Sequence, residues 1–500
     1  MTLALAEQVP NDRIKCINPS SVNHQGDYVL CWMTAYRRTA RNFALQRAVE
    51  LAEELDLPLL IVETLRVDEE WASARFHRFV LDGMVSNSLH CVIYGVRYFA
   101  FVERSVGEAD TFFKHLSRKA AVITMDYFPC MGSSDRQAKM VKGLGRRVES
   151  IDSNGIVPLS LTPAAFKTAY SFRCFLQKTI VEHLAQFPQP EPLAALSPRP
   201  LIKKEAAGCF KVSNLQELSG ALEEDLAIDQ TVGRVSLSGG APSGQLRIQS
   251  FIQDRLSTYV KSRMNAAPKA GTSGLSSYLH FGHVGPHCVV HPVLDRFGWA
   301  ASPTKTVRLG SREGWWGLPK AVESFLDQII TWREIGYVFS HHRPLDYDKY
   351  ESLPVWAQET LESHEKDFRP CIYSMNALEN SRTDDEIWNA AQRQLVSEGW
   401  MHNYLRMLWG KRILEWSKDP KEALERMIVL NNRYALDGRN PNSYSGIFWV
   451  LGRFDRPWGP KRPIYGSVRY MSSERTRKKI DLAEYIAHYG VQTGLFQSIA

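Results

Sequence analysis

The spacing of apolar residues changes partway along this chain. In the first part, short apolar runs occur at residues 28–33, 57–62, 120–124 and 156–159. Stretches of helical spacing lie between them, at residues 40–55 and 74–103. Short apolar runs are typical of buried parallel strands, and their alternation with helices requires crossover connections over the faces of one sheet. This pattern predicts an α/β N-terminal domain with a doubly wound, Rossmann-like parallel sheet.

The rest of the chain has mostly helical spacing. Proline and glycine cluster between about 187 and 244, which is typical of a connector that wraps a surface, with a short helix near 214–225. With 500 residues, the chain is too long for one ordinary core. We therefore expect a polar lead-in over residues 1–25, an α/β domain over 26–185, a linker over 186–244 and an all-α domain over 245–500.

The composition is that of an ordinary soluble globular protein, with 44% hydrophobic and 23% charged residues. No run of 18 apolar residues occurs and the N-terminus lacks the basic start of a signal peptide, so neither a membrane span nor export is expected. The eight cysteines form no Cys-x-x-Cys pair, which argues against a zinc site or an iron–sulfur cluster. We expect a metal-free cytoplasmic protein with reduced cysteines, or a nuclear one if the source is eukaryotic.

The net charge of +7 is concentrated near the C-terminus. Residues 453–481 contain nine Lys or Arg and three Asp or Glu, beside Trp458 and Tyr465. Basic side chains interleaved with aromatic ones suit contact with a nucleic-acid backbone. A solvated basic tail is an equally good interpretation of the charge alone.

Residues 399–416 bring tryptophans together with an amide and a guanidinium, and residues 437–442 follow on the next helices. In an ordinary core, Arg406 and Asp437 would be buried with nothing but each other, which is costly. The same residue types suit a polar aromatic cofactor and electron transfer to it. Trp409 and Trp416 are seven residues apart and so share a helix face. Core packing is the alternative role for these tryptophans.

Small hydroxyl residues and glycines cluster after Tyr259, at residues 271–282. Just before a helix, such residues offer hydroxyls and free N–H groups to a phosphate, although an ordinary N-cap uses the same residue types. Further on, Gln328 and Trp332 are four residues apart and share a helix face. An amphipathic helix with an interfacial Gln would look the same.

Together, these motifs resemble the photolyase/cryptochrome family, and they are closest to the class II cyclobutane pyrimidine dimer photolyases. The resemblance runs from about residue 27 to residue 489 and is strongest after Tyr259. It implies the bilobal photolyase fold, FAD bound without a covalent bond in the helical domain, UV-damaged DNA as the substrate, and a monomeric protein. An antenna chromophore of the deazaflavin or folate type is possible in the N-terminal domain, and the sequence identifies neither.

The resemblance also implies roles for individual residues. The FAD-binding set is Tyr259, Thr272, Ser273, Leu275, Ser276, Arg333, Asn403, Arg406 and Asp437. An amide near flavin N5 is implied for Asn431, and a relay that reduces the flavin in light is implied for Trp388, Trp409 and Trp416. The DNA-binding set comprises the lesion contacts Trp332, Met407 and Trp449, the residues Arg456 and Trp458 that fill the gap left by the flipped dimer, and Arg469.

Gln328 departs from the class II pattern, in which this position holds a Glu that hydrogen-bonds the lesion. A Gln can donate a hydrogen bond to a thymine carbonyl, but it cannot supply a proton. Gln at this position is similar to (6-4) photolyases and to some cryptochromes. Two alternatives to a cyclobutane-dimer photolyase therefore stay open: a (6-4) photolyase, and a cryptochrome with a signalling role.

Overall fold

The first part of the chain folds around one sheet. A computed structural model of the protein describes residues 3–267, 271–300 and 307–490. Within these ranges the strands are β1 Ile14–Asn18, β2 Tyr28–Met33, β3 Leu59–Leu65, β4 Arg97–Val102, β5 Ala120–Asp126 and β6 Arg147–Ile151. Their order across the sheet is β1-β6-β5-β2-β3-β4, and all neighbours are parallel except β1 and β6.

Every residue of β2, β3 and β5 is buried, which explains why these strands are continuous apolar runs in the sequence. The helices of this part are α1 Phe43–Glu54, α2 Ala74–Ile93, α3 Glu108–Ser117, α4 Ser133–Val141 and α5 Ala169–His183. The side chain of Asn42 caps α1 by accepting from the N–H groups of Ala44 and Leu45. The predicted doubly wound α/β fold is confirmed.

Three details of the sequence prediction are wrong. The helix predicted over 74–103 ends at Ile93, because Gly95 adopts a left-handed conformation (φ 64°) and the chain turns into β4. Residues 156–159 form no strand, since the N–H groups of Ile156 and Val157 donate to the carboxylate of Glu334 instead of to a neighbouring strand. The lead-in over residues 1–25 contains β1, which pairs with β6 at the sheet edge.

The remainder of the described chain is helical, as predicted. Its helices are α6 Leu215–Ser219, α7 Ala241–Ser250, α8 Tyr259–Ser262, α9 Ser276–His280, α10 Pro286–Arg296, α11 Lys320–Leu326, α12 Arg333–His342, α13 Val355–Ser363, α14 Met375–Glu379, α15 Glu386–Glu398, α16 Asn403–Glu415, α17 Pro420–Tyr434, α18 Pro441–Val450, α19 Ser473–Lys479 and α20 Ala483–Tyr489. Phe251–Arg255 and Asp327–Trp332 are π-helical. Among the helices of the described ranges, none has the length and apolar character needed to cross a bilayer.

The sheet and the helical part are in close contact. Gly282, which has a φ of 70°, lies against the loop after β2, where an added Cβ would come within 2.0 Å of the Ala35 carbonyl oxygen. The Arg38 guanidinium donates to the Gly282 carbonyl at 3.0 Å across the same contact. In addition, α5 packs its buried Phe172 and Leu176 into the core of the helical part. The domain boundaries at 185 and 245 stay a prediction.

We predict that Gly282→Ala destabilises the protein more than Gly95→Ala. Both glycines have positive φ, so an added Cβ costs each about 1 kcal/mol of backbone strain. Around Gly95 no atom lies within 4 Å of such a Cβ, whereas at Gly282 it collides with backbone, which adds about 1–3 kcal/mol. Thermal unfolding of both variants measures the difference, and equal losses would contradict the close approach.

Candidate functional site

Arg406 and Asp437 meet inside the helical part. Arg406 lies on α16, and its Nη2 donates to Asp437 Oδ1 at 3.0 Å. The Nε of Arg406 is buried and has no hydrogen-bond partner within the described residues. Asn431, on α17, packs against Gly438, where an added Cβ would lie 3.3 Å from its Nδ2. Three residues predicted to surround the cofactor are thus grouped, and one buried donor among them is free for a polar ligand.

The loop that contains Thr272 and Ser273 lies beside two arginines. Arg255 Nη1 donates to the Thr272 carbonyl at 3.0 Å, and burial together with the charge of Arg247 lowers the pKa of Arg255. The Arg247 guanidinium packs against Gly274, where a Cβ would approach its central carbon to 3.4 Å. Neither arginine forms an ion pair within the described residues. Two unpaired cations beside hydroxyl groups form a fitting site for a phosphate anion.

The same loop is linked to α16 through α8. Ser262 Oγ donates to the Gly271 carbonyl at 3.3 Å, and His402 Nε2 lies 3.0 Å from the Arg263 carbonyl. Tyr259 is buried and packs edge-on against Phe325 of α11, with ring centroids 5.4 Å apart. The hydroxyl loop, Tyr259 and the helix that carries Arg406 therefore form one continuous region. Leu275 is buried at the base of the loop, and Ser276 begins α9.

Two further residues of the predicted cofactor set have other contacts in the structure. Arg333 donates to the Asn154 carbonyl at 2.5 Å and stacks over Tyr337 at 4.2 Å, so its guanidinium lies at the contact with the first part of the chain. Asn403, at the start of α16, is exposed. The roles of Arg333 and Asn403 at a cofactor stay predictions. Conversely, the sequence interpretation omitted Arg247 and Arg255.

The three predicted relay tryptophans form a buried chain. They are at most 4% exposed. Trp388 Nε1 donates to the Trp409 carbonyl at 3.0 Å, and the rings of Trp388 and Trp416 have centroids 5.3 Å apart. The ring of half-buried Tyr373 meets Trp416 edge-on at 5.1 Å, and its hydroxyl bonds exposed Asp384. Tyr373, which the sequence interpretation did not single out, thus continues the aromatic chain to the surface.

Gln328 and Trp332 lie in the π-helical segment Asp327–Trp332. Trp332 Nε1 donates to Asp327 Oδ2 at 3.2 Å, and Arg173 of α5 forms a bidentate pair with the same carboxylate at 2.8 and 3.1 Å. This arrangement fixes the orientation of the Trp332 ring from the first part of the chain. The side chain of Gln328 is half-buried and makes no hydrogen bond within the described residues, so its amide is free for a ligand.

Four of the predicted DNA-contacting residues line a cavity of about 380 Å³, here called the tryptophan cavity. They are Met407, Trp449, Trp458 and Arg469. The Arg469 guanidinium lies 4.1 Å from the Trp458 ring and 5.5 Å from the Trp449 ring. Exposed Arg456 stacks on the outer side of Trp458 at 4.6 Å. Gln328 and Trp332 do not line this cavity.

Lys411 is buried beside the same cavity. Its Nζ donates to the Val450 carbonyl and lies 5.4 Å from the Trp449 ring. Burial lowers the pKa of Lys411 to about 7, with the nearby charge of Asp455 raising it and that of Arg469 lowering it. A buried lysine of this kind exchanges its proton near neutral pH.

A second cavity, of about 230 Å³, lies at the carboxyl ends of β2, β3 and β5 and is here called the sheet-edge cavity. The chain leaves β2 toward β3 and returns to β5 on its other side, so this is the crevice where doubly wound sheets bind ligands. Its lining includes Thr34, Leu65, Arg66, Trp71, Phe76, Met125, Phe281 and Arg439. Arg439 comes from the helical part, two residues after Asp437, and stacks over Phe76 at 3.4 Å.

The donor set of the site suits an organic cofactor. No group of three His, Cys, Asp or Glu residues is placed to hold a metal ion in residues 3–267, 271–300 and 307–490. The free Arg406 Nε, the two arginines at the hydroxyl loop and the buried Tyr259 fit a cofactor that combines a polar ring system with phosphates. FAD is such a molecule, and the donor set fits it.

The chain is similar to known enzymes over nearly its whole length. It is 31% identical to the deoxyribodipyrimidine photo-lyase of Methanothermobacter thermautotrophicus over 95% of this chain and 97% of that protein. It is 32% identical to the deoxyribodipyrimidine photo-lyase of Potorous tridactylus over 92% of this chain and 81% of that protein. No family model matches the chain. The crystal structure of a bacterial class III photolyase from Agrobacterium tumefaciens has the same fold, with a TM-score of 0.67 and 18% identity, covering 94% of this chain and 87% of that one.

We predict that Lys411 makes a contribution to the stability of the protein that rises with pH between about 7 and 10, and that Lys411→Met removes this contribution from the pH dependence. In that window the unfolded lysine holds a proton, since its pKa is about 10.4, whereas the buried one has lost it. Stability rises with pH where the unfolded state binds more protons. Thermal unfolding midpoints at pH 7, 8 and 9 measure the effect. The exposed Lys418→Met is the control and should keep the wild-type slope.

Proposed function

The chain belongs to the photolyase/cryptochrome family and acts in DNA repair as a deoxyribodipyrimidine photo-lyase; on that premise we propose that it binds FAD and splits cyclobutane pyrimidine dimers. The observation that carries this proposal is the cluster of Arg406, Asp437 and Asn431 beside a buried tryptophan chain. When bound, FAD supplies the chemistry, since its reduced, photoexcited form can give one electron to a dimer and take it back.

We assign the residues that hold the cofactor from the contacts described above. Arg406 would donate to the flavin ring, Asn431 would place its amide near flavin N5, and Asp437, which accepts from Arg406, would hold that guanidinium in place. The phosphates would be bound by the hydroxyl loop and its two arginines, with Tyr259 packed beside them: Thr272, Ser273, Ser276, Arg247 and Arg255. A positive group and an amide near the ring favour a flavin that carries extra negative charge.

The buried aromatic chain would supply electrons from the surface. Trp409 follows Arg406 by one helical turn, Trp388 is hydrogen-bonded to it, and Trp416 is in ring contact with Trp388. Tyr373 then connects Trp416 to the protein surface. Burial protects these rings from water, so the role of this chain is to carry charge and not to bind a ligand.

The lesion would be held by apolar packing and one amide. Trp332, Met407 and Trp449 offer flat or flexible apolar surfaces, and Gln328 offers a free N–H to a thymine carbonyl. Arg456 and Trp458 form a stacked pair at the surface that would enter the gap left in a duplex when the dimer flips out. Arg469 lies near the rings of both Trp449 and Trp458. It would therefore connect the residues that hold the lesion with those that enter the gap in the duplex.

The sheet-edge cavity would hold a second chromophore. Its lining combines aromatic rings with the cations Arg66 and Arg439, which suits a planar, polar heterocycle such as a deazaflavin or a folate. An absorption band beyond that of free flavin in the purified protein would support this assignment. Substituting Trp71 and Phe76 by Ala should remove that band and keep the flavin band.

The proposed function is tested by absorption and by repair. The purified protein should carry, or be reconstituted with, FAD, and a colourless protein that cannot be reconstituted would contradict the cofactor assignment. Under blue light the enzyme should repair an oligonucleotide with one cyclobutane dimer. Repair of a (6-4) product alone would instead assign it to the (6-4) photolyases, and a photoreducible flavin without any repair would assign it to the cryptochromes.

We predict that Trp388→Phe, Trp409→Phe and Trp416→Phe each slow the photoreduction of oxidised flavin. Repair by chemically reduced enzyme should be unchanged, because its flavin then needs no electron from the tryptophans. The matched control is Trp400→Phe, since Trp400 is half-buried and contacts His402 instead of the tryptophan chain. Unchanged photoreduction in all three relay variants would show that these residues serve only to pack the core.

We predict that Gln328→Leu lowers the quantum yield of dimer repair and that Gln328→Glu raises it or leaves it unchanged. The leucine leaves a lesion carbonyl without a partner, at a cost of about 1–3 kcal/mol. The glutamate restores the family residue and can share a proton with the lesion. Repair per absorbed photon, measured with flavin fully reduced, distinguishes the variants, and an unaffected Gln328→Leu enzyme would exclude Gln328 from the lesion site.

A further inference from the structure

The side chain of Asn431 is an amide, so it can offer a neighbouring ring either a hydrogen-bond donor or an acceptor. The two ends of an amide have nearly the same shape, and only their hydrogen-bond partners show which end lies where. Asn431 is 2% exposed, so these partners are protein groups or a bound ligand. The orientation of the amide therefore follows from the residues around it.

The nitrogen end of the Asn431 amide is enclosed by protein. Its Nδ2 donates to Ser443 Oγ at 2.7 Å and to Asn432 Oδ1 at 3.3 Å, which uses both of its hydrogens. The turn at Gly438 closes the same side, since an added Cβ there would lie 3.3 Å from Nδ2. The oxygen end accepts no hydrogen bond from any residue that the structure describes. A buried acceptor of this kind is satisfied when a ligand supplies the donor.

A backbone group determines this orientation. The N–H of Arg439 donates to Asn432 Oδ1 at 3.1 Å, and because a backbone N–H can only donate, this atom of Asn432 must be the oxygen. The Nδ2 of Asn432 donates in turn to Tyr444 Oη at 3.0 Å. The Asn432 oxygen needs a donor on its other side as well. Turning the Asn431 amide over would set two oxygens against each other at this contact.

We propose that Asn432 and Ser443 are positioning residues that hold Asn431 with its amide oxygen toward flavin N5. The inference rests on the proposed FAD site, and it adds which atom of the amide the ring meets and which residues determine this. Oxidised flavin has a lone pair and no hydrogen at N5, whereas reduced flavin has an N5–H donor. An amide oxygen beside N5 therefore accepts a hydrogen bond from the reduced ring and repels the oxidised one.

The contacts of Arg406 and Asn431 would be complementary. A guanidinium favours negative charge on the ring, and the amide oxygen favours a hydrogen at N5. Together they favour a reduced flavin that is an anion and still carries its N5–H. This is the electron-rich form that dimer repair would use.

Helix α18 supplies a matched pair of variants. Ser443 and Tyr444 are neighbours on this helix, and both are buried. Ser443→Ala removes a hydroxyl that accepts from Asn431, whereas Tyr444→Phe removes a hydroxyl that accepts from Asn432 Nδ2 and leaves the Asn432 oxygen held by the Arg439 N–H. Asn432→Leu is the stronger variant, because it removes the oxygen that fixes the Asn431 amide.

The measurement is the midpoint potential of FAD bound to the full-length protein, titrated in the dark and followed by the flavin absorption. We expect Asn432→Leu to lower the ratio of reduced to oxidised flavin roughly tenfold, a downward shift of about 30 mV for a two-electron couple. Ser443→Ala should shift the potential in the same direction by roughly half as much, because Asn432 still holds one N–H of Asn431. Tyr444→Phe should leave the potential unchanged.

The N5 hydrogen gives a second readout. In the reduced, FAD-loaded protein its exchange with solvent, followed by NMR, should be faster in Asn432→Leu and in Ser443→Ala than in the wild type and in Tyr444→Phe. If Asn432→Leu fails to fold, the comparison of Ser443→Ala with Tyr444→Phe gives the answer alone.

An unchanged or raised potential in Ser443→Ala and Asn432→Leu would mean that Asn431 does not present its oxygen to N5, and would overturn the assignment. An equal shift in Tyr444→Phe would assign the effect to the buried hydrogen-bond network as a whole, and would overturn it as well. Failure of the wild type to bind FAD would instead overturn the proposed cofactor.

Discussion

The helical part contains a largely buried ion pair whose hydrogen bonding is incomplete within the described residues. The Arg406–Asp437 pair is largely removed from water, and one guanidinium donor is left without a partner among the described residues. Breaking or burying such a pair is costly, and replacing it by apolar residues is often neutral or stabilising. Its presence is explained when a polar ligand completes the hydrogen bonding. The packing of α16, α17 and the turn after α17 around this pair is thus consistent with the proposed cofactor site.

The sequence predicted the architecture well because the fold depends on periodic burial. The fully buried strands β2, β3 and β5 and the long helices of the second half follow directly from apolar spacing. The errors arose where contacts between residues distant in sequence determine the secondary structure. Ile156 and Val157 have the composition of a strand, but Glu334, distant in sequence, binds their N–H groups. The strand β4 was missed because only three residues separate it from the end of α2, so that its apolar residues extend the predicted helix.

The roles of the site residues were inferred from the resemblance and stay predictions. The positions of their side chains depend on backbone geometry. Two functional segments are π-helical, and a π turn rotates every later side chain relative to α-helical spacing. For this reason the approach of Arg255 to Arg247 and to the Thr272 loop could not be read from periodicity. The hydrogen bond of Arg333 could not be predicted for a different reason, since its partner Asn154 lies in the distant first part of the chain.

Arg439 connects the turn that carries Asp437 with the sheet-edge cavity. It follows Asp437 by two residues, has a positive φ of 63°, and carries its guanidinium into the sheet-edge cavity over Phe76. A ring system held at Arg406–Asp437 and one held beneath Arg439 would therefore share a single short stretch of backbone. A shift of this one turn would then be transmitted to both binding sites at once.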